Sequence, residues 1–107
     1  MFRKVLFSLF ILLTVSASAG EQTGKVSQIV VRGSDNLHYF FLEGSSSNKP
    51  VCAKHTYWMI RDENSIAGKT QISLLLSAQA QQKTIRVVGS GSCTRWGDGE
   101  DVDAIFF

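Results

Sequence analysis

The fold class this sequence predicts is mainly β with one helix, and three observations predict it. Short runs rich in Val, Ile, Phe and Tyr recur before residue 44 and again after residue 84, divided by Gly, Ser, Asn and Asp clusters. One stretch, Thr70 to Gln82 (TQISLLLSAQAQQ), is instead rich in Leu, Ala and Gln, which favour helix. That helical stretch follows the third extended run and precedes the fourth.

The elements follow in order. Gly24 to Gly33 (GKVSQIVVRG) reads as a strand centred on Ile29, Val30 and Val31. Gly33 to Asn36 is turn chemistry, and Leu37 to Glu43 (LHYFFLE) is a second strand. Leu37, Tyr39 and Phe41 alternate with His38, Phe40 and Leu42, so both strand faces are apolar and the outer one needs a cover. Gly44 to Pro50 is a loop, and Val51 to Arg61 is a third strand region, interrupted near Lys54-His55-Thr56. In the helix, Ile72, Leu75, Leu76 and Ala80 form the expected barrel-facing stripe. Leu74 and Ala78 fall off that stripe, and Thr70 to Gln82 holds no charge. Either Gln and Ser suffice to solvate the outer face, or the helix is packed on both sides, with Leu74 and Ala78 the expected contacts with a second subunit. Thr84 to Gly89 and the alternating Val102, Ala104 and Phe106 supply the last two strands. Five short strands with a helix between the third and fourth are the succession of a Greek-key OB-like barrel. The short Gly33 to Asn36 turn leaves no room for the helix a ferredoxin-like fold needs there.

The start of the chain speaks of address. Arg3 and Lys4 precede an apolar run from Val5 to Val15, and Ser16 to Ala19 ends in Ala17-x-Ala19. That order is a secretory signal peptide over residues 1–19, with cleavage after Ala19. The apolar run is shorter than the roughly 20 residues of a membrane span. Residues 20–107 are then one exported domain, periplasmic or secreted, with no membrane span after cleavage. Losing Arg3 and Lys4 brings the eleven basic residues to nine, equal to the nine acidic ones. With no basic cluster, nucleic acid is not an expected partner. Cys52 and Cys93 are the two cysteines, and in an oxidising compartment a single disulfide is the expected state. The rival is a zinc site from Cys52, His55, Cys93 and His38, but the spacing lacks a second close ligand pair.

Catalytic motifs are incomplete. Gly89-Ser90-Gly91-Ser92 lacks a P-loop ending, and no Gly-x-Ser-x-Gly occurs. Asp98 to Asp103 holds four carboxylates without EF-hand spacing, and reads as a solvated acidic turn rather than a cation site. No enzyme activity, cofactor or metal is expected. Tyr57-Trp58 and Trp96 are the expected ligand contacts, since aromatic rings offer flat apolar area with a polar handle. Trp58 also suits the core, whereas Trp96 sits in a Gly-rich loop.

The order of Thr23-Gly24, Tyr39 to Gly44, Val51-Cys52-Ala53, Trp58, the Ala/Leu/Gln helix and Ile85-Arg86-Val87 resembles the B subunits of AB5 toxins. The likeness is to the subtilase-cytotoxin and typhoid-toxin type and runs from about Thr23 to Val88. It implies an OB barrel, a ring of five subunits, glycan binding and a partner A-type subunit. Thr23 stands where that family has a sialoglycan-contacting serine. The aromatic strand of the family commonly carries a cysteine, and Phe41 stands there instead. The expected function is an exported, non-enzymatic glycan-binding module. The alternative is a small periplasmic envelope protein with a protein-interaction or structural role.

Overall fold

The computed structural model describes residues 18–107. The expected leader therefore lies outside the described residues except for Ser18 and Ala19. Five strands, β1 (Glu21–Val31), β2 (His38–Leu42), β3 (Trp58–Met59), β4 (Thr84–Gly89) and β5 (Glu100–Phe106), surround a core capped by α1 (Ile66–Gln81). They form a closed barrel in the order β1-β2-β3-β5-β4. Among the described residues only β3 and β5 run parallel, and their short pairing, Trp58 with Glu100 and Met59 with Asp101, completes the ring.

β1 is long because it serves two neighbours. Its first half pairs with β4 and its second half with β2, the change coming at an irregularity between Val26 and Gln28. An extra residue there bends a strand and lets it turn the corner of a barrel. β1 begins at Glu21, three residues before the start expected at Gly24, because Glu21, Gln22 and Thr23 pair with Val88, Val87 and Arg86. Alternation then sends Phe40, Leu42, Trp58, Ile85, Val87 and Val102 inward, where they join Val26, Ile60, Leu75 and Ala78 in one cluster.

The helix corrects the expected division of its faces. It starts at Ile66, so it includes one charge, Lys69, and Ser65 caps it by accepting the Gly68 N–H at 2.9 Å. The barrel-facing residues are Gly68, Leu75 and Ala78, with Ile72 partly buried beside them. Leu76 is 53% exposed and Ala80 is also exposed, so neither belongs to the inner stripe. Ala78 has no exposed surface and meets the barrel of its own chain, which removes it as a contact for a neighbour. Leu74 is half-buried. The outward stripe is instead Ile66, Lys69, Ser73, Leu76 and Ala80, spaced by three and four. A Cβ at Gly68 would overlap the Asp62 carbonyl, so glycine lets the helix start lie on the preceding loop.

The acidic run is not a solvated turn. Glu100 and Asp101 are fully buried, while Asp98 is half-buried and Asp103 exposed. Cys52 and Cys93 form the disulfide, with Cα atoms 6.2 Å apart, tying the β2–β3 loop to the β4–β5 loop. Among the described residues, no helix is long and apolar enough to cross a membrane.

Candidate functional site

The outward side chains of β2 are Tyr39 and Phe41, and the cover their apolar face needs comes from the chain itself. Tyr57, just before β3, lays its ring 5.2 Å from that of Tyr39 and 5.9 Å from that of Phe41, centroid to centroid. Tyr39 and Phe41 meet edge to face at 6.1 Å. His55 stacks on Tyr57 at 5.2 Å and lies open to solvent. Such tilted and edge-on pairs are the favoured aromatic geometries. The result is a half-exposed aromatic shelf on the outside of the barrel.

Polar groups rim the shelf. The Tyr57 hydroxyl donates to Asp98 Oδ1, and His55 Nε2 lies 3.5 Å from Asp98 Oδ2. Burial first, then this hydrogen bond and the Asp98 charge, push the Tyr57 phenol up to about 12, with Arg32 opposing. The phenol therefore stays protonated at neutral pH. On the other side Arg32 pairs with Asp35, which lowers the Asp35 carboxyl and raises the guanidinium. The same guanidinium covers the Trp96 ring at 4.6 Å.

The backbone leading into Trp96 is held by a buried carboxylate of β5, the strand that follows it. Asp101 accepts from the N–H groups of Thr94 (3.0 Å) and Arg95 (3.1 Å) and from the Thr94 hydroxyl. The Arg95 side chain donates to Glu63 at 3.1 Å and to the Asp35 carbonyl at 3.1 Å. Glu63 also accepts the His38 N–H at 3.1 Å. Burial opposes the charged Glu63, but its own backbone N–H, these hydrogen bonds and the Arg95 charge prevail and hold its carboxyl below the ordinary value. Trp96 itself is 38% exposed.

A cavity of about 40 Å³ opens among Arg32, Leu37, Tyr39, Tyr57, Met59 and Trp96. That is room for water, far below the several hundred Å³ of an enclosing ligand site. Anything bound here lies across the surface. A larger open groove of about 410 Å³ runs beside the helix start, lined by Arg61, Asp62, Ser65, Gln71 and Asp103 among others, but it presents no aromatic ring. No family model, curated protein or solved structure matches this chain.

Of the residues expected to contact a ligand, Tyr57 and Trp96 belong to the shelf. Trp58 has no exposed surface, and its indole N–H donates to Gln22 Oε1 at 2.8 Å inside the barrel. It is a core residue. Thr23 is exposed opposite Arg86 on the β1–β4 side. Arg32, which touches Trp96, lies nine positions further along the chain than Thr23. The stretch between them turns at the Val26–Gln28 irregularity, so Thr23 lies on the half of β1 paired with β4 and Arg32 just beyond the half paired with β2. Thr23 and Trp96 thus mark separate surfaces. Tyr39, Phe41 and His55 were legible only as parts of a two-faced strand and an interrupted one, and their gathering around Tyr57 depends on the fold of the β2–β3 loop. Among the described residues no cluster of three metal-ligating side chains forms.

Proposed function

We propose that this domain is an exported glycan-binding module built on an OB-type Greek-key barrel, acting as a B-type subunit of a ring. The aromatic shelf of Tyr39, Phe41 and Tyr57, rimmed by His55, Asp98, Arg32 and Trp96, is the observation that carries the reading. Sugar rings present apolar C–H faces edged with hydroxyls, and flat aromatic surface beside fixed donors and acceptors complements both. A protonated Tyr57 that donates to Asp98 orients this rim and is no base at neutral pH, which favours binding over catalysis. The strand order and the helix after β3 support the OB assignment. The outward stripe of Ile66, Leu76 and Ala80 supplies an apolar contact for a second copy, as head-to-tail ring assembly requires.

A glycan array with the processed protein tests the reading. Saturable binding to defined sugars is expected, weakened at least tenfold by Trp96→Ala or Tyr39→Ala and unchanged by Thr23→Ala. Loss on Thr23→Ala with Trp96→Ala unaffected would move the site to the β1–β4 surface. A silent array, with a protein of the cell envelope retained by the shelf, would replace the glycan reading with a protein-interaction role.

A further inference from the structure

Glu100 opens β5 with no exposed surface, between Gly89 and Trp58. Its Oε2 accepts the N–H groups of Gly20 at 3.0 Å and Gly91 at 2.9 Å. Among the described residues, its Oε1 is buried without any hydrogen-bond partner. A buried carboxylate oxygen without a donor is costly, and native cores rarely keep one. Glu100 takes part in none of the ion pairs among the described residues. The Lys49 stem passes close by, yet its ammonium lies 4.0 Å from the centroid of the Trp58 ring and donates to the Tyr57 carbonyl at 3.2 Å.

Gly20 is shaped to this carboxylate. It is buried, and its carbonyl accepts the Gly89 N–H at 2.8 Å, which fixes it at the head of β1. A Cβ on Gly20 would come within 2.5 Å of Glu100 Oε1 and 2.7 Å of Lys49 Cγ. The unpartnered oxygen therefore lies alongside the Gly20 α-carbon, while the other oxygen already holds the Gly20 nitrogen. At the same nitrogen the sequence places the bond that follows Ala17-x-Ala19.

We propose that Gly20 is the N-terminus of the working protein and that its α-ammonium is the partner of the buried Glu100 carboxylate. A signal-type endopeptidase hydrolyses the Ala19–Gly20 peptide bond with water, leaving a carboxylate on Ala19 and an ammonium on Gly20. One amide N–H thereby becomes three N–H donors, enough to reach both Glu100 oxygens, and the carboxylate gains a full positive charge. Export precedes folding, so the barrel closes around an amine that already exists. An unprocessed chain folds with Oε1 unpaired and is less stable. The inference rests on the export reading and is independent of what the shelf binds.

The test begins with N-terminal sequencing of the protein exported from a bacterial host, which should start at Gly20; any other start overturns the proposal. Thermal unfolding then compares that protein with one retaining Ser18 and Ala19. The extension should lower the midpoint by roughly 5–10 °C, and Glu100→Gln should abolish the difference between the two forms. An unchanged midpoint, or a difference that persists in Glu100→Gln, overturns it. If Glu100→Gln does not fold, amine acylation of the wild-type processed protein decides. An ammonium engaged by Glu100 reacts at least tenfold more slowly than the same amine after unfolding, and equal rates overturn the proposal.

Discussion

Tyr57 joins the two halves of the shelf. Its ring touches Tyr39, Phe41 and His55, and its hydroxyl donates to Asp98 across the β4–β5 loop. Burial and the Asp98 interaction put its pKa at about 12, above the roughly 10 of an unfolded tyrosine. A group raised on folding contributes stability that is whole below its unfolded pKa and lost as pH climbs through the folded one. Stability should therefore fall between about pH 10 and pH 12. Phenolate absorbance should show at least one of the two tyrosines ionising near pH 12 in the folded protein, and Tyr57→Phe should flatten the decline. Both tyrosines ionising near pH 10 without unfolding would contradict this account. At the same scale, Glu100 and Asp101 show where reading the chain alone stops. Four acids close together look solvated, because the donors that bury two of them arrive from residues 20, 91, 94 and 95.

Among the elements, the strands were the more legible. Alternation placed Phe40 and Leu42 together on one face of β2, and the span of β4 matches its reading residue for residue. The short β3 was not legible as two residues, since its limits come from partners on β2 and β5. Helix phase was misjudged for a physical reason. Leu74, Leu75 and Leu76 together point around much of the helix, so periodicity alone cannot choose the inner one. A small residue decides it, because Ala78, three positions on, allows the close approach that brings Leu75 into the core. Leu75→Ala should accordingly cost about 3 kcal/mol in urea unfolding. Leu76→Lys, on the outward stripe, should change stability by less than about 1 kcal/mol in the isolated subunit. In light scattering, that same variant should lower the mass of a ring held by Ile66, Leu76 and Ala80. A wild-type mass of one subunit, or a Leu76→Lys ring of unchanged mass, would remove the outward stripe as the contact.

Taken as one molecule, the site depends on two loops that the barrel hydrogen bonds alone do not join. The β2–β3 loop brings His55 and Tyr57, and the β4–β5 loop brings Trp96 and Asp98. Cys52–Cys93 links these loops covalently, and the Lys54 N–H donating to the Asp98 carbonyl at 2.9 Å adds a second tie. A link across this much chain is worth roughly 4 kcal/mol when its effect lies in the unfolded state. A domain of this size has a total stability on the order of 5–10 kcal/mol, so the disulfide is a large share of it. Replacing both cysteines by serine should lower urea stability by about 3–4 kcal/mol. The buried Asp101 still holds Thr94 and Arg95, so Trp96 should keep its place in whatever fraction remains folded. On the proposed glycan-binding reading, affinity per folded molecule should then change far less than stability does. A double variant that retains full stability would show the loops to be fixed by their hydrogen bonds. A stable variant that loses binding would instead assign the disulfide to the geometry of the shelf itself.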